Sequence, residues 1–241
     1  MIESKRHDDV ALITLRRHER RNALDIEHCD ALREAVEGAT TDGVRSIVIT
    51  GEGTSFCSGA DLDGVYGEEL RRRMYAAFGA VRDTPVPVIV AVNGPAIGAG
   101  THLAIACDLR VVADTAVFAV PAVRNALAVD VWTMRRLVEL CGGAVAREMM
   151  IGCEAVAAAD ARTRGLADRD GDLDAALAWA HELATLAPLT LAYNKIVLNT
   201  PEADADDERL RAAFDACWAS NDIDEARRAR EEKRAPVFRG R

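Results

Sequence analysis

The amino-acid sequence predicts an α/β protein: a body of alternating strands and helices followed by a run of helices. Three observations predict it. Short apolar, β-branched runs alternate with longer amphipathic segments through the first two-thirds of the chain. Two turns rich in glycine and other small residues each follow a strand-like run. From Asp130 onward, helical patterns alone recur.

Taken in order, residues 10–15 read as a strand, 26–37 as an amphipathic helix and 44–50 as a second strand rich in branched residues. Residues 51–59 are a Gly/Ser/Thr turn, and 68–81 are helical. Residues 86–92 form a short apolar strand beside two prolines, closed by Asn93-Gly94-Pro95. Residues 98–106 are a buried helix and 109–112 another strand. Strands separated by helical crossovers imply parallel pairing with right-handed connections. Beyond Asp130, segments 131–140, 144–151, 155–162, 173–186, 191–198, 207–219 and 222–233 favour helix, with Gly, Pro or Asp between them. The acidic stretch 202–208 suits the positive end of a helix dipole. The chain therefore divides into an α/β body, residues 1–190, and a helical C-terminal region, 191–241, that packs on a neighbour.

Composition narrows the function. The 241 residues are 49% hydrophobic and only 5% aromatic, so the core is mostly Ala, Val, Leu and Ile. A formal charge of −9 excludes a general nucleic-acid binder, which needs a positive field to draw phosphates. Basic residues other than Lys5, Lys195 and Lys233 are arginines, which suit local anion sites. The six cysteines are scattered, without CxxC or metal-like spacing; no metal is expected, and the thiols fit a reducing compartment. The charged N-terminus has no apolar signal core, and no apolar run reaches the ~20 residues of a membrane helix. A cytoplasmic location is expected.

The chemistry concentrates in the two turns, residues 51–62 and 93–102. Small residues let the backbone turn tightly and approach a neighbour closely. A helix start also leaves about four amide N–H groups unpaired, carrying roughly half a unit of positive charge. Two such amides aimed at one point make an oxyanion hole. Rival motifs fail on spacing: neither turn has the third glycine of a dinucleotide fingerprint, nor a P-loop Gly-Lys-Ser/Thr. Residues 53–57 have cysteine where a nucleophile elbow has its last glycine. Either turn alone is equally readable as a packing device.

Together, in this order, the turns resemble the crotonase (enoyl-CoA hydratase/isomerase) superfamily. Phe56-Cys57-Ser58-Gly59-Ala60-Asp61-Leu62 resembles its FCAGADL segment, and residues 93–109 its NGxAxGGGxxLAxxCD segment. Arg17-His18-Glu19-Arg20-Arg21-Asn22-Ala23-Leu24 resembles its NRPxxxNAL stretch, and residues 232–238 its EKRxPxF tail. The likeness spans nearly the whole chain, and among members it is greatest to actinobacterial paralogues named as enoyl-CoA hydratases. It implies a crotonase fold of repeated ββα units, a helical trimerisation region, and an acyl-CoA ligand of fatty-acid metabolism. Coenzyme A then enters as part of the ligand, with no separate tightly bound cofactor, and the assembly is a homotrimer or dimer of trimers. By position, Ala60 and Ala99 would supply the oxyanion amides. Asn22, Ala23, Asp61 and Leu62 would lie along the CoA. Lys233 and Arg239, on a neighbour's tail, would meet its phosphates, unless they are ordinary solvated charges.

The sequence departs from the family where its hydratases hold water between two glutamates; those places are His102 and Ala122. Hydration needs one group to take a proton and another to give one, and alanine does neither. Efficient hydration is therefore disfavoured. His102, one helical turn past Ala99, either faces the thioester or is simply packed. Asp130 falls where isomerases and dehalogenases of the superfamily carry a functional aspartate; it also precedes a helix as an N-cap would. Isomerase or lyase chemistry on an enolate, through Asp130 and His102, is one reading; a non-catalytic acyl-CoA carrier or sensor is the other. A thiol nucleophile, Cys57 with His102, is a distant third. Leu70, Met74, Ala77 and Phe78 are candidates for the acyl pocket, with Trp132 closing its far side.

Overall fold

A computed structural model of the chain describes residues 1–61, 64–200 and 207–241. Strands β1 (Ile2–His7) and β2 (Val10–Leu15) form a hairpin, followed by helix α1 (Ile26–Thr41) and strand β3 (Ser46–Gly51). Helix α2 (Glu68–Asp83), strands β4 (Val88–Val92) and β5 (Ala96–Ile97), and helix α3 (Ala99–Ala106) come next. Strands β6 (Leu109–Val112) and β7 (Val117–Ala119) precede helix α4 (Val131–Met150). Short pieces β8 (Val156–Ala157), α5 (Ala158–Ala161) and β9 (Arg169–Asp170) lead to helices α6 (Leu173–Ala184), α7 (Pro188–Asn199), α8 (Glu208–Ala219) and α9 (Asn221–Glu232).

The main sheet has the order β1-β2-β3-β4-β6-β9, parallel except for the β1–β2 hairpin. Every residue of β3 and β4 is buried, because helices cover both faces. Successive residues alternate between the two cores: Ile47, Ile49, Val88 and Val90 face α1 and α2, while Val48, Ile89 and Val111 face α6. Ala176, Ala180 and Ala184 form the stripe of α6 that meets the sheet, and their small side chains let the helix lie close. A second sheet, β5-β7-β8, sits at the end where the two turns emerge.

The expected elements are present with small boundary changes, and four differences have physical causes. The charged residues of β1 hid a strand that is held by its ladder to β2, not by its own pattern. Residues 155–162 are not one helix, since Val156 and Ala157 pair with β7 before the helical turn α5. The two helices expected after Asp130 run on as α4, broken at Gly142, which has a φ of 74°. The proposed boundary at 190 falls inside α7, which the buried Lys195 ties to the body: its Nζ lies 2.7 Å from Asp108 and donates to the carbonyls of Val81 and Val86. Of the acidic stretch, residues 202–206 lie outside the described residues. Among the described residues, no helix is long and apolar enough to cross a membrane.

Candidate functional site

The two turns lie against each other because glycine permits it. Cys57 bridges to Ala96, with its N–H donating to Pro95 O at 3.1 Å and its carbonyl accepting from Ile97 N at 2.9 Å. A Cβ on Gly100 would stand 2.2 Å from Cys57 O, and one on Gly59 would stand 3.0 Å from Ile97 O and 3.7 Å from Ala99 N. On the other side, Leu24 donates to Gly59 O and accepts from Asp61 N, both at 2.8 Å. Both bonds flank Ala60, so its own N–H points the opposite way. Ala99 opens α3 after the Gly98 N-cap, and its N–H is among those a helix leaves over. Among the described residues, neither the Ala60 nor the Ala99 amide has a partner.

Both alanines line a cavity of about 650 Å³. His102, Ala122 and Asp130 line the same cavity, with apolar wall from Val65, Leu70, Met74 and Leu127. Ala60, Ala99, His102, Ala122 and Asp130 thus meet at one cavity. Among the described residues no glutamate lines the cavity, and Asp130 is its one carboxylate.

The cavity's polar groups differ sharply in how they are held. His102 is 5% exposed, and neither ring nitrogen has a hydrogen-bond partner. Burial lowers its pKa to about 4, against the smaller opposing pull of the Asp130 charge, so the ring is neutral at neutral pH. Asp130 is the N-cap of α4: one oxygen accepts from Thr133 N at 3.0 Å and the other from Thr133 Oγ1 at 2.5 Å. It caps the helix and also faces the cavity. Tyr75 was not singled out in the sequence. It lines the same wall, and burial first, then the Asp130 charge, push its hydroxyl up. Its only sequence signal was its place on α2 beside Met74.

Several other candidate residues lie outside the cavity lining. Asn22 does not present its side chain to a ligand: it is 1% exposed, donates to the carbonyls of Glu52 and Ser55, and accepts from Arg17 N. It straps the loop before α1 to the first turn. Ala23 is buried beside it, and Asp61 pairs with Arg17 at 2.6 Å. Leu62 lies outside the described residues. Lys233 and Arg239, expected to meet the ligand of a neighbouring copy, do not line the cavity of their own chain. Lys233 ends α9 in a left-handed conformation, and the backbone of Arg239 and Gly240 is held by Asp222. Ala77 and Phe78 face the core instead of the cavity, and Trp132 lies under the Arg82 guanidinium elsewhere. Cys57 cannot serve as a nucleophile: its thiol is fully buried, outside the cavity lining, and burial pushes its pKa up to about 12. Among the described residues, no group of three or more His, Cys, Asp or Glu side chains could hold a metal ion.

The family profile for enoyl-CoA hydratase/isomerase matches residues 5–241. The chain belongs to this family, the crotonase superfamily. This crotonase is 43% identical over 248 residues to a Mycobacterium tuberculosis protein named "Probable enoyl-CoA hydratase echA6", with 100% of both chains covered. It is 44% identical over 249 residues to the Mycobacterium leprae protein of that name, again over 100% of both. A solved enoyl-CoA hydratase/isomerase family protein from Hyphomonas neptunium superposes with a TM-score of 0.91 at 29% identity, covering 100% of this chain and 98% of that one. The crotonase fold and an association with acyl-CoA metabolism follow from membership.

Proposed function

We propose that the cavity binds an acyl-CoA thioester with its carbonyl oxygen between the Ala60 and Ala99 amides. The observation that carries this reading is the pair of unpartnered N–H groups, on turns in direct contact, at the wall of an apolar cavity. Donors fixed in advance stabilise an oxygen that gains charge, and one such donor is worth about 3–4 kcal/mol in the transition state. A proton removed beside the thioester carbonyl leaves its electron pair on that oxygen as an enolate. In this reading Asp130, the one carboxylate among the described lining residues, takes the proton and returns it, giving isomerase or lyase chemistry. Neutral His102, with a pKa of about 4, is a weak base for that task. Hydration is poor, because Ala122 can neither take nor give a proton. CoA enters with the ligand, and a neighbouring copy in a homotrimer or dimer of trimers brings Lys233 and Arg239 to its phosphates.

A second reading is a non-catalytic acyl-CoA carrier or sensor. It is favoured by one observation: both Asp130 oxygens already accept from Thr133. The test is a titration with trans-2-enoyl-CoAs of increasing chain length, following binding and enoyl absorbance together. Binding that tightens with chain length is expected, with hydration 100- to 10,000-fold below that of an enzyme having both acid/base groups. Ala99→Pro, which removes one amide proton at a helix position tolerant of proline, should cut any turnover about 100- to 1,000-fold. Rapid hydration would overturn the reading of His102 and Ala122. Failure to bind any thioester would overturn the function itself.

A further inference from the structure

Asp130 is bonded to Thr133 more firmly than a helix cap requires. An N-cap carboxylate meets that need with one oxygen on a backbone N–H of the first turn, and here Oδ1 accepts from Thr133 N at 3.0 Å. The second bond, from Thr133 Oγ1 to Asp130 Oδ2 at 2.5 Å, satisfies no backbone group of the helix. In a capping box, the side chain at this position turns instead to the N–H of the N-cap. The short distance is that of a hydroxyl donating to a charged oxygen, the stronger class of hydrogen bond.

Thr133 is 2% exposed and does not line the cavity, whereas Asp130 does. Both bonds therefore reach the carboxylate from behind, and the lone pairs they leave free face the cavity. Of about four acceptor sites on a carboxylate, Thr133 takes two. A carboxylate with one bond turns readily about its Cβ–Cγ axis; with two bonds to one residue its plane is fixed. Tyr75 also interacts with this carboxylate from the cavity side, where a ligand competes with it; Thr133 is out of any ligand's reach. A base must keep a free lone pair within hydrogen-bond reach of the proton it takes, and misplacement by about 1 Å costs on the order of 100-fold. We propose that Thr133 is a positioning residue, whose hydroxyl holds the Asp130 carboxylate in the orientation that takes and returns a proton beside a thioester carbonyl. This rests on the enolate reading above. In that step Asp130 takes the α-proton, the C–H electron pair becomes the enolate double bond, and the charge settles on the oxygen at the Ala60 and Ala99 amides. Return of a proton from Asp130 restores the C–H bond, and nothing is oxidised or reduced.

The test follows exchange of the α-protons of a saturated acyl-CoA for deuterium in D2O by NMR, with every site filled, and measures the dissociation constant beside it. The wild type should exchange them, since the proton held by Asp130 trades with solvent before it returns. Thr133→Val, which keeps the shape and removes the hydroxyl, should exchange about tenfold or more slowly while binding within about twofold. Thr133→Ser, which restores the hydroxyl, should recover a rate within about threefold of wild type. Thr133→Ala shows the same loss should the valine variant not fold. A threonine with only a structural role would move the urea midpoint and leave the filled-site rate unchanged; that result overturns the proposal and leaves the enolate reading standing. A serine variant as slow as the valine variant overturns it too. Wild type that binds the thioester without exchange overturns both the proposal and the enolate reading, and absence of binding overturns the acyl-CoA reading with them.

Discussion

Lys195 and His102 are buried to nearly the same degree, 8% and 5% exposed, in two regions that use burial for opposite ends. At the seam between α7 and the body, the Lys195 ammonium has Asp108 and two backbone carbonyls around it. Asp108 in turn accepts from Val88 N, which couples the ion pair to the start of β4. At the cavity, His102 has burial without partners and escapes the penalty of a buried charge by staying neutral. A satisfied buried ion holds elements together. An unsatisfied buried ring beside a cavity is a place where something else belongs. Burial alone does not separate the two; the partner count does.

The comparison breaks first at Lys195. Lys195→Met leaves Asp108 and two carbonyls without their shared donor, and about 3 kcal/mol of unfolding free energy should be lost. A urea midpoint measures it, and the folded fraction should still bind acyl-CoA within about twofold. An unchanged midpoint would mean that the seam does not depend on the ion pair.

His102 gives the next largest effect, through pH. Its folded pKa of about 4 lies below the ordinary 6.5, so the unfolded chain takes up the proton first as pH falls. The stability tied to the neutral ring is full above about 6.5 and is lost as pH falls toward 4, a total on the order of 2–3 kcal/mol. Unfolding midpoints across that window should fall in the wild type and fall less in His102→Phe. Carboxylates such as Glu225, lowered to about 2 chiefly by its bonds to Arg234, contribute only below the upper part of this range. Parallel pH profiles for the two proteins would show that the ring is more solvated than its burial implies.

The smallest effect separates the two roles of Asp130. Asp130→Ala should cost about 1 kcal/mol of stability as a lost N-cap, and Asp130→Asn, a comparable cap, about 0.5 kcal/mol or less. If Asp130 is also the enolate base, both variants should lose turnover of acyl-CoA while binding it within a few-fold. Turnover that survives in Asp130→Asn would leave the aspartate a helix cap alone.

The sequence by itself determined the order of the main strands and helices, the place of the two turns, and the family. It also brought Ala60, Ala99, His102, Ala122 and Asp130 into one argument before their meeting was visible. These are local signals: branched runs, helical periodicity, and small residues where the backbone must pass closely. Only the tertiary structure decided the rest. Strands β5, β7, β8 and β9 are two or three residues long and exist because of the strands beside them, so no pattern of their own announces them. The direction of the Ala60 amide depends on Leu24 bonding to the residues on either side of it. Asn22 became a strap because the carbonyls of Glu52 and Ser55 reached it first. The isolation of His102 depends on what α2, α3 and the start of α4 do not place beside it, and a missing neighbour leaves no mark in a sequence.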